Sequence, residues 1–199
     1  MTTAMPKHEI SRADILPLDK YAAERKSLRQ TVVAVKARRR IEVGPFATFF
    51  FENYQTMWHQ VHEMLYIEKG GEAQIADELT AYNPLIPKGR ELVATVMFEI
   101  DDPVQRARVL AQLGGIETRM FLSVGGEQVR GIPEGDLERT KADGKTSSVH
   151  FVHFPFSAAQ VAAFRNPATQ VIVGFDHPEY AHMAVMSPAA RQVLAEDFD

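Results

Sequence analysis

Seven histidines are the residues of this 199-residue chain best suited to chemistry, and six of them fall in close pairs. His150 and His153 stand in a run of aromatic and β-branched residues, 147–156. His59 and His62 lie three apart with Glu63 next, and His177 and His182 flank a Pro-Glu turn. Imidazoles and carboxylates are the ligands of non-haem iron and zinc. The chain has no cysteine, which excludes disulfides, thiolate nucleophiles, iron–sulfur ligation by this chain and cysteine zinc sites. A metal must therefore be held by His, Asp, Glu or Tyr. Three imidazoles and a carboxylate, drawn from a helix and two strands, would make a mononuclear site with an open position. The first candidate ligands are His150, His153 and His182, joined by His59, His62 or Glu63. The plain alternative for each is a core or rim histidine bonded to backbone, or a residue on a solvated helix face.

Other chemical templates are missing. The order His59-x-x-His62-Glu63 is neither the zinc-protease motif nor its inverted form. There is no Gly-x-Gly-x-x-Gly, no phosphate-cradling loop ending in Lys-Ser/Thr and no Gly-x-Ser-x-Gly elbow, so no nucleotide cofactor is expected.

The elements that must position these residues follow from periodicity and punctuation. Asp19 can cap a helix running to about Arg40, whose cationic end, Arg38, Arg39 and Arg40, suits the helix dipole or offers an anion- or partner-binding patch. Gly44-Pro45 breaks the chain, and a longer helix is expected over residues 46–68. Phe50, Phe51, Met57 and Val61 share its apolar face, while Glu52, His59 and Glu63 lie on a polar face toward solvent or a partner subunit. A further helix spans about 72–81.

From Glu91 the grammar turns to strands: 92–100, then a helix to Leu113, strand 117–124, the Gly125-Gly126 hairpin signal and strand 127–132. Residues 133–145 read as a mobile loop. The order then returns as strand 147–156, a helix capped by Ser157, strand 169–176, a turn and strand 180–186, before a final helix from Ala189. Residues 96–100 overlay 152–156, and 118–124 overlay 169–175, so a β-α-β-β unit is used twice. Strand alternation sends His150 and His153 to opposite faces. His177 reads as an exposed turn residue.

The expected class is α+β: an antiparallel-rich sheet of about six strands from two pseudo-repeated β-α-β-β units, covered by N-terminal helices. Residues 1–90 form the helical segment and 91–199 the doubled sheet region with its C-terminal helix, in one compact domain. A net charge of −4 gives no bulk reason to expect nucleic acid or anionic membrane as partner. The first ten residues lack the apolar core of a signal peptide and no run reaches membrane-span length, so a cytoplasmic location is expected.

Several phrases resemble a bacterial family known as a domain of unknown function. They are Gly44-Pro45 through Phe51-Glu52-Asn53, Glu63-Met64-Leu65, Glu68 to Glu72, Tyr82-Asn83-Pro84, Glu91 to Ile100, Ser148 to Phe151, Pro155-Phe156 and His177-Pro178 to His182-Met183. The resemblance brings no catalytic residues. Its members tend to be encoded beside rubrerythrin-like proteins and iron–sulfur oxidoreductases, which implies a redox or oxidative-stress context and favours iron over zinc. The leading expectation is a metal-binding protein (non-haem iron or zinc) with a redox role. The alternatives are a non-catalytic partner of an iron–sulfur oxidoreductase or rubrerythrin-like protein, and a protein binding a small organic ligand in a pocket lined by Phe and Met. A homodimer is expected from the polar helix face and free sheet edges.

Overall fold

The computed structural model describes residues 7–135 and 144–199. Most of the loop expected over 133–145 lies outside the described residues. The α+β class holds, with the sheet divided in two: a five-stranded sheet in the order β1-β2-β3-β7-β6 and a four-stranded sheet in the order β5-β4-β8-β9, every described pairing within them antiparallel. The single sheet of about six strands is thereby corrected. Each β-α-β-β unit begins in one sheet and ends in the other. The first runs β3 (Glu91–Phe98), α4 (Pro103–Gln112), β4 (Met120–Val124) and β5 (Glu127–Arg130). The second runs β7 (Val149–Pro155), α5 (Ala158–Arg165), β8 (Val171–Phe175) and β9 (Met183–Val185), and the short β6 (Ile132–Pro133) lies beside β7. The two units meet about a pseudo-dyad: Leu122 and Val173, equated by the sequence overlay, are register partners, and so are Thr95 and Phe151, one residue before the overlaid 96–100 and 152–156. Gly125 and Gly126 both have positive φ, as a tight two-residue hairpin requires.

The helix expected over 46–68 is two elements. Residues 47–52 form β2 (Ala47–Glu52), paired between β1 (Arg40–Val43) and β3, and only Tyr54–Glu68 is helical, as α2. Three consecutive phenylalanines after a threonine fit a pleated surface better than a helix. Asn53 then starts the helix by a reciprocal cap: its side chain accepts from Thr56 N at 3.0 Å while its own N–H donates to Thr56 Oγ1 at 2.9 Å. Likewise α1 (Leu18–Ala37) stops short of Arg40, leaving that residue to β1. Gly44, at φ 70°, turns the β1–β2 hairpin where an added Cβ would lie 2.6 Å from the His182 ring and 2.8 Å from the Tyr180 hydroxyl. That hydroxyl donates to Val43 O and accepts from the N–H groups of Phe46 and Ala47, fixing the hairpin to the other sheet.

The main core fills the space between the sheets. On β2 it takes Ala47, Phe49 and Phe51, on β3 Leu92, Ala94, Val96 and Phe98, and on β7 Val152 and Phe154. Phe49 meets Phe175 of the opposite sheet with ring centroids 5.1 Å apart. The other face of the five-stranded sheet carries the alternate residues and is roofed by α2 and α3 (Gly71–Tyr82). A smaller core there joins Val93 to Met57, Val61, Ile75 and Leu85. Helix α1 packs on α2. The C-terminal helix α6 is Pro188–Leu194, capped by Ser187.

Candidate functional site

The expected ligand residues are dispersed. His150 and His153 do take opposite faces. His150 lies in the inter-sheet core, fully buried, its Nε2 2.9 Å from Ser147 O and its ring edge-on to Phe98. His153 lies on the roofed face between two carboxylates, with Nδ1 3.0 Å from Glu91 and Nε2 2.7 Å from Glu134. Both nitrogens donate at once only in the imidazolium form. The Glu91 hydrogen bond, aided by Glu134 and opposed by burial, raises the His153 pKa. His182 packs on Gly44 with its ring centroid 4.6 Å from that of Tyr180. His177 is buried rather than exposed: its Nε2 donates to Gly114 O and its Nδ1 accepts from Glu179 N.

The polar face of α2 is covered by α1. Leu16 N–H donates to His62 Nε2 at 3.0 Å, so Nδ1 carries the proton and donates to Trp58 O at 2.7 Å. Burial lowers its pKa, keeping the ring neutral. Glu63 accepts both arms of the Arg25 fork at 2.8 Å and the Tyr21 hydroxyl at 2.7 Å, and Arg25 draws its pKa down to about 2. His59 is buried with no Nε2 partner among the described residues, and burial lowers its pKa as well. Among the described residues, no three His, Asp or Glu side chains stand together where they could hold an ion.

The Arg38–Arg40 patch also resolves into separate roles. Arg38 caps α1 with its backbone N–H, and Arg40 pairs with Glu42 at the surface. Arg39 is buried, donating to Phe51 O at 2.9 Å and Glu52 O at 3.1 Å and pairing with buried Asp197. Burial pushes the Asp197 carboxyl up to about 6 against the pull of that guanidinium. This triplet is therefore not a free cationic patch.

What the fold does assemble is a cleft of about 290 Å³ over the roofed face of the five-stranded sheet. Its floor includes Phe50, Thr95 and Phe151, which lie side by side on β2, β3 and β7. Met97 extends the floor, Met57 closes it from α2, and Lys36 and Gln60 add polar groups. Glu52 is the unusual member. It is only 5% exposed, its Oε1 accepts from Thr95 Oγ1 at 2.7 Å, and its Oε2, shielded from solvent, has no partner among the described residues. A buried acceptor left unpaired costs about 1–3 kcal/mol, more when charged, which makes it a group waiting for a donor. Helical periodicity assigned Glu52 to a solvated helix face and missed it. The signal present in the sequence was the run Thr48–Glu52 ending at the capping residue Asn53, in which alternation puts Phe50 and Glu52 together.

A second cavity of about 230 Å³ lies among the N-terminal arm, α1, α2 and α3. Most of its polar side chains are already engaged: both His62 nitrogens are bonded, Tyr21 donates to Glu63 and Arg12 grips Glu72, while Lys69 stands at the exposed rim. Nothing in it calls for a ligand in the way Glu52 does.

Comparison with known proteins supports the fold more than the chemistry. The chain is similar to the crystal structure of a novel protein of unknown function from Burkholderia pseudomallei K96243. The two are 39% identical with a TM-score of 0.88, over 96% of this chain and 99% of that one. No curated protein matches it. Residues 9–198 match the family model described as protein of unknown function (DUF3501). The resemblance read from the sequence phrases is thus a membership: the chain belongs to the DUF3501 family.

Proposed function

We propose that this protein binds a small organic molecule in the cleft between the five-stranded sheet and its helical roof. The observation that carries this reading is Glu52, a buried carboxylate with one oxygen held by Thr95 and the other without a partner among the described residues. Around it the cleft is built from Phe50, Met57, Met97 and Phe151, so a mostly apolar body would be enclosed while one polar group is fixed. The volume lies just below the roughly 300–1,000 Å³ of ordinary small-molecule sites. Methionines at two sides suit a site that adapts to its occupant.

Iron or zinc binding through the histidines has weaker support. His153 would have to leave two carboxylates and His62 two backbone partners before either could join another ligand. Association with an iron–sulfur oxidoreductase or a rubrerythrin-like protein rests on the resemblance alone.

The test is a fragment screen read by the methionine methyl resonances of selectively ¹³C-labelled protein. The expected result is shifts at Met57 and Met97, assigned through Met57→Leu and Met97→Leu, with the other methyls unmoved. Fragments that move only other methyls, or none, would refute the cleft as a binding site.

A further inference from the structure

Resting on that reading of the cleft, we infer that its ligand carries a cationic amine on an apolar body, and that Glu52 is the residue that recognises it. An ionised carboxylate only accepts hydrogen bonds, so the complement of Oε2 is a donor. Burial adds a demand for charge, because an uncompensated anion in a dry site is costly unless a cation meets it. An ammonium supplies both, whereas an alcohol supplies the donor alone and a carboxylate supplies repulsion.

The surrounding charges are consistent with an external cation. Arg39 touches the Glu52 carbonyl, but its charge is opposed by Asp197, and its hydrogen bonds go to Asp197 and to the carbonyls of Phe51 and Glu52. Lys36 reaches the cleft from α1 without forming an ion pair with Glu52 in the described structure. The Thr95 hydroxyl donates to Oε1, so it orients the carboxylate and leaves Oε2 as the remaining acceptor. Oε2 is shielded, so an ammonium reaches it only as neighbouring side chains move. Met57 and Met97 are unbranched and turn easily, and the Glu52 carboxylate can rotate about its last torsion. The apolar part of the ligand would then lie along Phe50 and Phe151, where an aromatic ring gains offset or edge contacts.

The experiment compares 2-phenylethylamine, 2-phenylethanol and 3-phenylpropionate by titration of the Met57 and Met97 methyl signals. The protein is the full chain, as wild type and as Glu52→Gln and Lys36→Met variants. The amine is expected to bind at least about tenfold more tightly than the alcohol, and the acid most weakly. Glu52→Gln should erase the preference for the amine while leaving the alcohol's affinity within about twofold. Lys36→Met should tighten amine binding about two- to fivefold by removing a competing cation. Thermal unfolding of each variant, run in parallel, separates lost recognition from lost folding. Equal or tighter binding of the alcohol or the acid overturns the amine inference but keeps the cleft, as does amine affinity unchanged by Glu52→Gln. Silence from all three compounds overturns both.

Discussion

The two faces of the five-stranded sheet are made by alternate residues of the same strands, yet they follow different rules. The face toward the other sheet is uniformly apolar along β2 and β3, and its Phe49 and Phe98 pack against Phe175 of β8. The roofed face mixes Phe50, Thr95 and Met97 with Glu52, Glu91 and His153, and some of those positions keep partial exposure. One face makes the fold. The other carries Glu52 of the candidate cleft and Glu91 and His153 of the clamp. The difference teaches that in a sheet covered on both sides, the incompletely packed side is where polar groups acquire tasks.

Substitutions on adjacent residues sharpen this contrast. Phe49→Ala, on the inter-sheet face, should cost about 3–5 kcal/mol in denaturant unfolding, whereas Phe50→Ala, one residue on, should cost about 1 kcal/mol. Equal losses would break the distinction between the faces. Arg39→Met should be about as severe as Phe49→Ala, about 3–5 kcal/mol, because it leaves Asp197 buried and removes donors from the carbonyls of Phe51 and Glu52. A thermal-melt shift as small as that of a surface Arg40→Met control would contradict the burial argument.

A smaller effect with a pH signature is expected at His153. Its pKa is raised in the fold, so its contribution to stability is complete below the unfolded value of about 6.5 and is lost as pH rises through the raised folded value. His153→Gln should therefore cost about 1–2 kcal/mol at pH 6 and clearly less at pH 9. Unfolding curves at the two pH values check it, and a pH-independent loss would mean that packing, not charge, holds the ring. The smallest effect is expected at Glu52. Glu52→Gln keeps an acceptor for Thr95 and sets an amide NH2 where Oε2 lay, so the free protein's stability should change by less than about 1 kcal/mol while amine binding is lost. A loss as large as that of Phe49→Ala would indicate that Oε2 already has a structural partner.

Much of this architecture was readable in the sequence, and the failures have physical causes. The helix cap at Ser157, the Gly125-Gly126 hairpin and the doubled element order all depend on local chemistry, which sequence displays directly, although α1 starts after Pro17 with Asp19 inside its first turn. The opposite orientation of His150 and His153 followed from alternation alone. The helix misread over residues 46–52 arose because three phenylalanines in a row satisfy a helical stripe as readily as a strand covered on both faces. That one error hid Glu52. The separation of the histidines could not be foreseen, since the helices α4 and α5 carry each unit from one sheet to the other, and nothing local announces the change. Arg39 looked like one cation of a surface triplet because its partner, Asp197, lies almost the whole chain away.

The pseudo-dyad also has a kinetic consequence. The β1–β2 and β4–β5 hairpins close over a few residues and can form within microseconds. The Thr95–Phe151 and Leu122–Val173 pairings must wait until the second unit finds the first across a long stretch of chain, a slower search. Phe151 belongs to that second unit and Glu52 to the segment before the first, so the whole cleft exists only once the two units have paired. Recovery of ligand binding during refolding should trail the first burial of aromatic side chains, making occupancy of the cleft a clock for the last step of assembly.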